Sequence, residues 1–197
     1  MFWNVTGLRG KFYGNTHSAN IFLEYISKFT IIGLAETWAT NRDNFKLPGF
    51  LSFSAIRKQN RNTAKNSGGI IVYIREELNS ICKELKSSSM NVVWMLIQFT
   101  EKGCDHDLII GTVYLSPENC SIHAQEDTFI MIENEICGFR NQYGSAKIIL
   151  MGDFNAYTNT QPDYVVDRSA KYNSFHDDHE TPEPRDRANK DTRYRNN

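Results

Sequence analysis

Along most of the chain, apolar residues fall in short runs between polar breaks, and the runs follow two different periods. Residues 18–29, SANIFLEYISKF, set Ile21, Phe22, Tyr25, Ile26 and Phe29 at the i, i+4, i+8 spacing of an amphipathic helix. Ser18 is its expected N-cap. Residues 125–141 carry the same signature in Phe129, Ile132, Ile136 and Phe139. The remaining runs are short and continuous, and they read as strands: FWNVTGL, TIIGLAET, GGIIVYIREEL, VVWMLIQFT, DLIIGTVYLSP and AKIILMGDFN. Glycines open one of them, and Pro117 stops another. Helices separate some strands, and hairpin-like neighbours separate others. That mixture predicts a mixed sheet with helices over its faces, a layered α/β architecture.

The pattern changes near Tyr157, after which apolar runs almost vanish. The stretch HDDHETPEPRDRANKDTRYRNN cannot bury enough apolar surface to offset the entropy lost on ordering. The expectation is therefore a partial domain over residues 1–156 and a polar loop or disordered tail over 157–197. A structureless loop of that length inside a compact domain would be unusual. The chain is expected to stop before the elements that would close the domain.

Composition narrows the picture without redirecting it. A hydrophobic share of 40% and an aromatic share of 12% suffice for a packed core. A net charge of -1 excludes a global basic field but not a local basic groove. The loop 57–66, RKQNRNTAKN, offers Arg57, Lys58, Arg61 and Lys65 either as DNA-backbone contacts or as a plain solvated loop. Cys82, Cys104, Cys120 and Cys137 form no C-x-x-C pair and read as reduced thiols. The start, MFWNVTGLRGK, lacks the charged and apolar regions of a signal peptide, and no run nears membrane-helix length. These features predict a soluble intracellular protein.

Candidate chemistry sits at strand ends. Asn4, Glu36 and the pair Asp153/Asn155 each follow an apolar run, and ligands in open α/β sheets collect beyond the carboxyl ends of strands. Asp153 and Asn155, two apart in extended chain, point to one side. A hard cation such as Mg²⁺ takes carboxylate oxygens, water and substrate phosphate, and Glu36 with an Asp/Asn neighbour is such a set. The same Gly, Asp and Asn are also the residues turns prefer, and spacing alone leaves both readings open.

WNVTGL, GLAETW, SGGIIVYI, GTVYLSP and ILMGDFNA occur in the order found in the endonuclease/exonuclease/phosphatase superfamily. Together they most resemble the apurinic-type endonuclease domain of non-LTR (LINE-like) retrotransposons, over residues 3–197. The resemblance implies a DNase I-like layered α/β sandwich, here incomplete on its C-terminal side. It also implies Mg²⁺- or Mn²⁺-dependent nicking of DNA, leaving a 3′-hydroxyl and a 5′-phosphate. By that resemblance Glu36 ligates the metal and Asn4 helps hold metal or phosphate. Tyr114 hydrogen-bonds the scissile phosphate, Asp153 orients or deprotonates the attacking water, and Asn155 donates to the developing phosphorane. The implied setting is a polyprotein that also carries a reverse transcriptase, acting in the nucleus.

The sequence departs from the family in lacking a closing Ser-Asp-His block. Asp178-His179 is an Asp-His pair, but no apolar strand precedes it. A zinc site at His176 and His179 would lack a nearby cysteine. Trp38, just after Glu36, either packs beside the site or anchors its loop. Alternatives to DNA nicking are a same-fold phosphoesterase acting on a phosphoinositide, sphingomyelin or poly(A), and a non-catalytic remnant.

Overall fold

A computed structural model describes residues 1–56, 68–115 and 125–155. The loop 57–66, Cys120, the 1–156/157–197 boundary, the polar tail, His176 and the Asp178-His179 pair therefore lie outside the described residues. The strands are β1 (Phe2–Asn4), β2 (Ile31–Ala35), β3 (Phe50–Ala55), β4 (Ile70–Arg75), β5 (Cys82–Leu85), β6 (Val92–Ile97), β7 (Leu108–Tyr114) and β8 (Lys147–Asp153). The helices are α1 (Arg9–Tyr13), α2 (Thr16–Ile26) and α3 (Gln125–Gln142).

The strands form two sheets, ordered β1-β2-β4-β3 and β5-β6-β7-β8. In each, one edge pair is parallel, β1 with β2 and β7 with β8, and the other pairings are antiparallel. The sheets pack face to face, with Ala35, Val72 and Ile74 of one against Val93, Met95 and Tyr114 of the other. Gly33 lets them approach, since a Cβ there would sit 2.8 Å from Thr112 Cγ2. Alternation sends the other side of each strand outward. Ile32, Leu34 and Tyr73 pack under Leu8, Phe22 and Ile26, while Trp94, Leu96 and Ile109 pack under Ile132 and Phe139. The result is the layered α/β sandwich expected from the sequence, helix–sheet–sheet–helix.

Several local expectations need correction. Asn15, not Ser18, caps α2: its side chain accepts the His17 N–H at 3.0 Å, so the helix begins ahead of the apolar stripe. Phe129 does not join the α3 core face; it is 43% exposed and stacks on Phe154 at 6.3 Å. The apolar run of β8 is not fully buried, because β8 pairs only with β7 among the described residues and leaves Ile149 and Leu150 exposed. α3 is fastened instead by Glu135, which accepts the Trp94 indole N–H at 2.6 Å and the Ser88 N–H at 2.8 Å. Among the described residues, no helix is long and apolar enough to cross a membrane.

Candidate active site

The two parallel edge pairs bring four strand ends to one lip. Register sets Asn4 opposite Ala35, so Glu36 emerges one residue beyond. Register also sets Tyr114 opposite Asp153. Two hydrogen bonds then cross between the sheets. Asn4 Nδ2 donates to Asp153 Oδ2 at 2.7 Å, and the Tyr114 hydroxyl donates to Glu36 Oε1 at 3.0 Å. The structure thus brings together Asn4, Glu36, Tyr114 and Asp153, residues separated by as many as 149 positions.

Asn155 joins them through the backbone. Its N–H donates to Asp153 Oδ1 at 3.0 Å, and its Nδ2 donates to the Leu115 carbonyl at 2.6 Å. Leu115 N–H returns to the Asp153 carbonyl at 2.9 Å, closing the loop onto the end of β8. Asp153 therefore has a donor on each oxygen, and a carboxylate so held is fixed in orientation. Asn4 is fixed in turn, because its Oδ1 accepts the Thr6 N–H at 3.2 Å while its Nδ2 faces Asp153.

Backbone strain concentrates at the same place. Among the described residues, the non-glycine residues with positive φ are Thr6 (46°), Glu36 (51°), Trp38 (52°) and Asn155 (44°). Such conformations cost roughly 1–3 kcal/mol each and persist where surrounding bonds over-determine them, typically at functional sites. Here Gly7 N–H donates to the Glu36 carbonyl at 2.7 Å, and Trp38 N–H to the Gly68 carbonyl at 2.9 Å. Gly69, at φ 85°, leaves no room for a side chain: a Cβ would meet Thr37 Oγ1 at 2.9 Å. The residue types of Thr6 and the Gly68–Gly69 pair do not by themselves mark them as site-forming. The available signal was Asn-x-Thr-Gly, a spacing suited to an Asx turn.

Among the described residues, no three His, Cys, Asp or Glu side chains cluster as a metal cage. The donor set nevertheless suits a hard cation that keeps most of its water. Glu36 is only half-buried, and while Oε1 takes the Tyr114 hydroxyl, Oε2 accepts from no described residue.

A family model described as Endonuclease/Exonuclease/phosphatase family matches residues 1–189. The human Nocturnin catalytic domain, solved with a bound sulfate anion, aligns with a TM-score of 0.57 and 15% identity over 79% of this chain and 62% of its own. TDP2 from C. elegans aligns with a TM-score of 0.50 and 13% identity over 79% of this chain and 47% of its own. An AP endonuclease from Archaeoglobus fulgidus gives 0.47 and 13%, over 82% and 58%. At such identities the likeness is one of fold, and the chain spans only part of each structure. A search of curated protein sequences found no match.

Proposed function

The chain belongs to the Endonuclease/Exonuclease/phosphatase family, and from that premise we propose that it carries the site of a divalent-metal-dependent phosphodiesterase that nicks DNA. Nucleases of this family are typically divalent-metal dependent. The observation that carries the reading is the pair of cross-sheet hydrogen bonds, Asn4 to Asp153 and Tyr114 to Glu36. They gather a carboxylate for a metal, a second carboxylate for water and neutral donors for phosphate at one lip.

Glu36 is the residue that would hold Mg²⁺ or Mn²⁺, and the bound ion would supply neutralisation of phosphate charge. Asp153, locked by Asn4 and by the Asn155 N–H, orients the attacking water and takes its proton. Asn4 acts by positioning Asp153, whose Oδ2 accepts its Nδ2–H. The Asn155 amide has a second N–H beyond the one given to Leu115, and this donates to the developing phosphorane. Tyr114 gives its single O–H to Glu36 Oε1 and so holds that carboxylate in place; it donates to the scissile phosphate once that bond is exchanged for one to the substrate. The products are a 3′-hydroxyl and a 5′-phosphate. In a non-LTR retrotransposon polyprotein, acting in the nucleus, that 3′-hydroxyl primes the accompanying reverse transcriptase; the motif order in the sequence supports this setting.

The test is incubation of supercoiled plasmid with the purified chain and Mg²⁺. Nicked circles whose 3′ ends a polymerase extends without prior treatment are the expected product. Intact supercoils, or ends that need a phosphatase first, would contradict the reading. The non-catalytic alternative is favoured by one observation: the 197 residues hold no Ser-Asp-His block. Intact supercoils would leave it standing.

A further inference from the structure

Beside the lip lies a groove of about 360 Å³, lined in part by Thr6, Gly7, Arg9, Lys11, Thr37 and Trp38. Its volume falls in the range of ligand clefts, and Arg9, Lys11 and Trp38 have no role in the chemistry described above. Trp38 stands two residues past Glu36, held in the left-handed region and still 37% exposed. Gly7 makes room for the indole, since a Cβ there would come within 2.6 Å of Trp38 Cε3. The groove is also tied to the metal-site strand end. Gly7 N–H donates to the Glu36 carbonyl at 2.7 Å, and Leu8 N–H to the Thr37 carbonyl at 3.0 Å. Among the lining charges, Arg9 is neutralised by Asp43 at 2.8 Å. Among the described residues, Lys11 Nζ donates to the Val5 and Gly7 carbonyls and meets no carboxylate.

An exposed indole, a lysine cation and an adjoining phosphate site are the combination that holds a nucleotide, the base by stacking and the backbone by charge. We propose that this groove is a nucleotide subsite in which a base neighbouring the scissile phosphate leaves its stack and lies on Trp38. The proposal rests on the phosphodiesterase reading and narrows its substrate to a locally unstacked polynucleotide, as against a phosphoester without a base.

The test reads binding in EDTA, so cleavage plays no part. A fluorescein-labelled thymidine oligonucleotide and a baseless deoxyribose-phosphate oligomer of equal length and charge are titrated with the full chain at low salt. Wild-type protein is expected to prefer the base-bearing strand by roughly 5- to 100-fold. Trp38→Ala abolishes that preference, and Trp38→Phe, which keeps a ring, retains most of it. Equal affinity of wild-type protein for both strands overturns the proposal, and this comparison needs no variant to fold. An undiminished preference in Trp38→Ala overturns it as well. The two readings fail separately. Base preference without plasmid nicking removes the catalytic reading and keeps the groove, whereas nicking without base preference removes the groove alone.

Discussion

At the scale of single residues, the site depends on how side chains are held as much as on which they are. Asp153 takes a donor on each oxygen, and one comes from Asn4. Replacing Asn4 by Ala removes that donor without adding charge or bulk. The expected result is a loss of nicking kcat of about 10²-fold with KM little changed, the pattern of an interaction needed chiefly in the transition state. Rates of plasmid conversion across substrate concentrations check this. An unchanged kcat would mean that Asn4 does not position Asp153. The cysteines give a second check on the packing. Burial pushes the Cys82 thiol up to about 11, whereas Cys104 and Cys137 are exposed. Because the thiolate is the reactive form, iodoacetamide at mildly alkaline pH should label Cys104 and Cys137 well before Cys82, as read by mass spectrometry. Equal labelling would contradict the burial of the Cys82 thiol. From sequence, Asn4, Glu36, Asp153 and Asn155 were legible as polar residues ending apolar runs, and Tyr114 came from the resemblance. Thr6 was not, because its service to Asn4 depends on a backbone conformation at φ 46° that its residue type does not announce.

At the scale of elements, long periodic runs were legible and short edge pieces were not. β2, β4, β6 and β7 are apolar apart from Arg75 and Thr112 and are buried on both faces, so their runs stand out. β3, FLSFSA, buries only Ala55, and β5, CKEL, is half polar, so neither carries a run long enough to read. α1 is five residues with a glycine inside it, too short for a helical period. Its position is secured by a tertiary bond instead. Arg9 meets both oxygens of Asp43, at 2.8 and 3.1 Å, while Thr40 donates its N–H and hydroxyl to the same carboxylate. Desolvation pushes Asp43 up, but the Arg9 and Thr40 hydrogen bonds outweigh it and hold the carboxyl below its ordinary value. A carboxyl depressed on folding adds stability above its unfolded pKa, near ~3.9, and loses it as pH falls through the folded value. Asp43→Asn should therefore lower Tm at pH 5–7, with the difference from wild type shrinking below pH ~4. A difference constant down to pH ~2.5 would mean that the charge on Asp43 contributes nothing.

At the scale of the whole molecule, β1 and β8 are edge strands of the two sheets among the described residues, and Trp3, Ile149 and Leu150 on them are exposed. Unpaired edges flanked by apolar side chains invite strand-to-strand association. Sedimentation of the purified chain should show concentration-dependent self-association, reduced by Leu150→Lys; a strictly monomeric wild type would contradict this. The site lies at these two strands, since Asn4 and Asp153 end them. That placement joins the fold to the central claim, that the four strand ends form one phosphodiester-cleaving site. Mg²⁺-dependent nicking of supercoiled plasmid by wild type and Asp153→Ala, purified identically, tests it most directly. The rate in Asp153→Ala is expected to be lower by about 10³-fold or more, as for loss of one member of a cooperative catalytic set. Equal rates in the two proteins would contradict it.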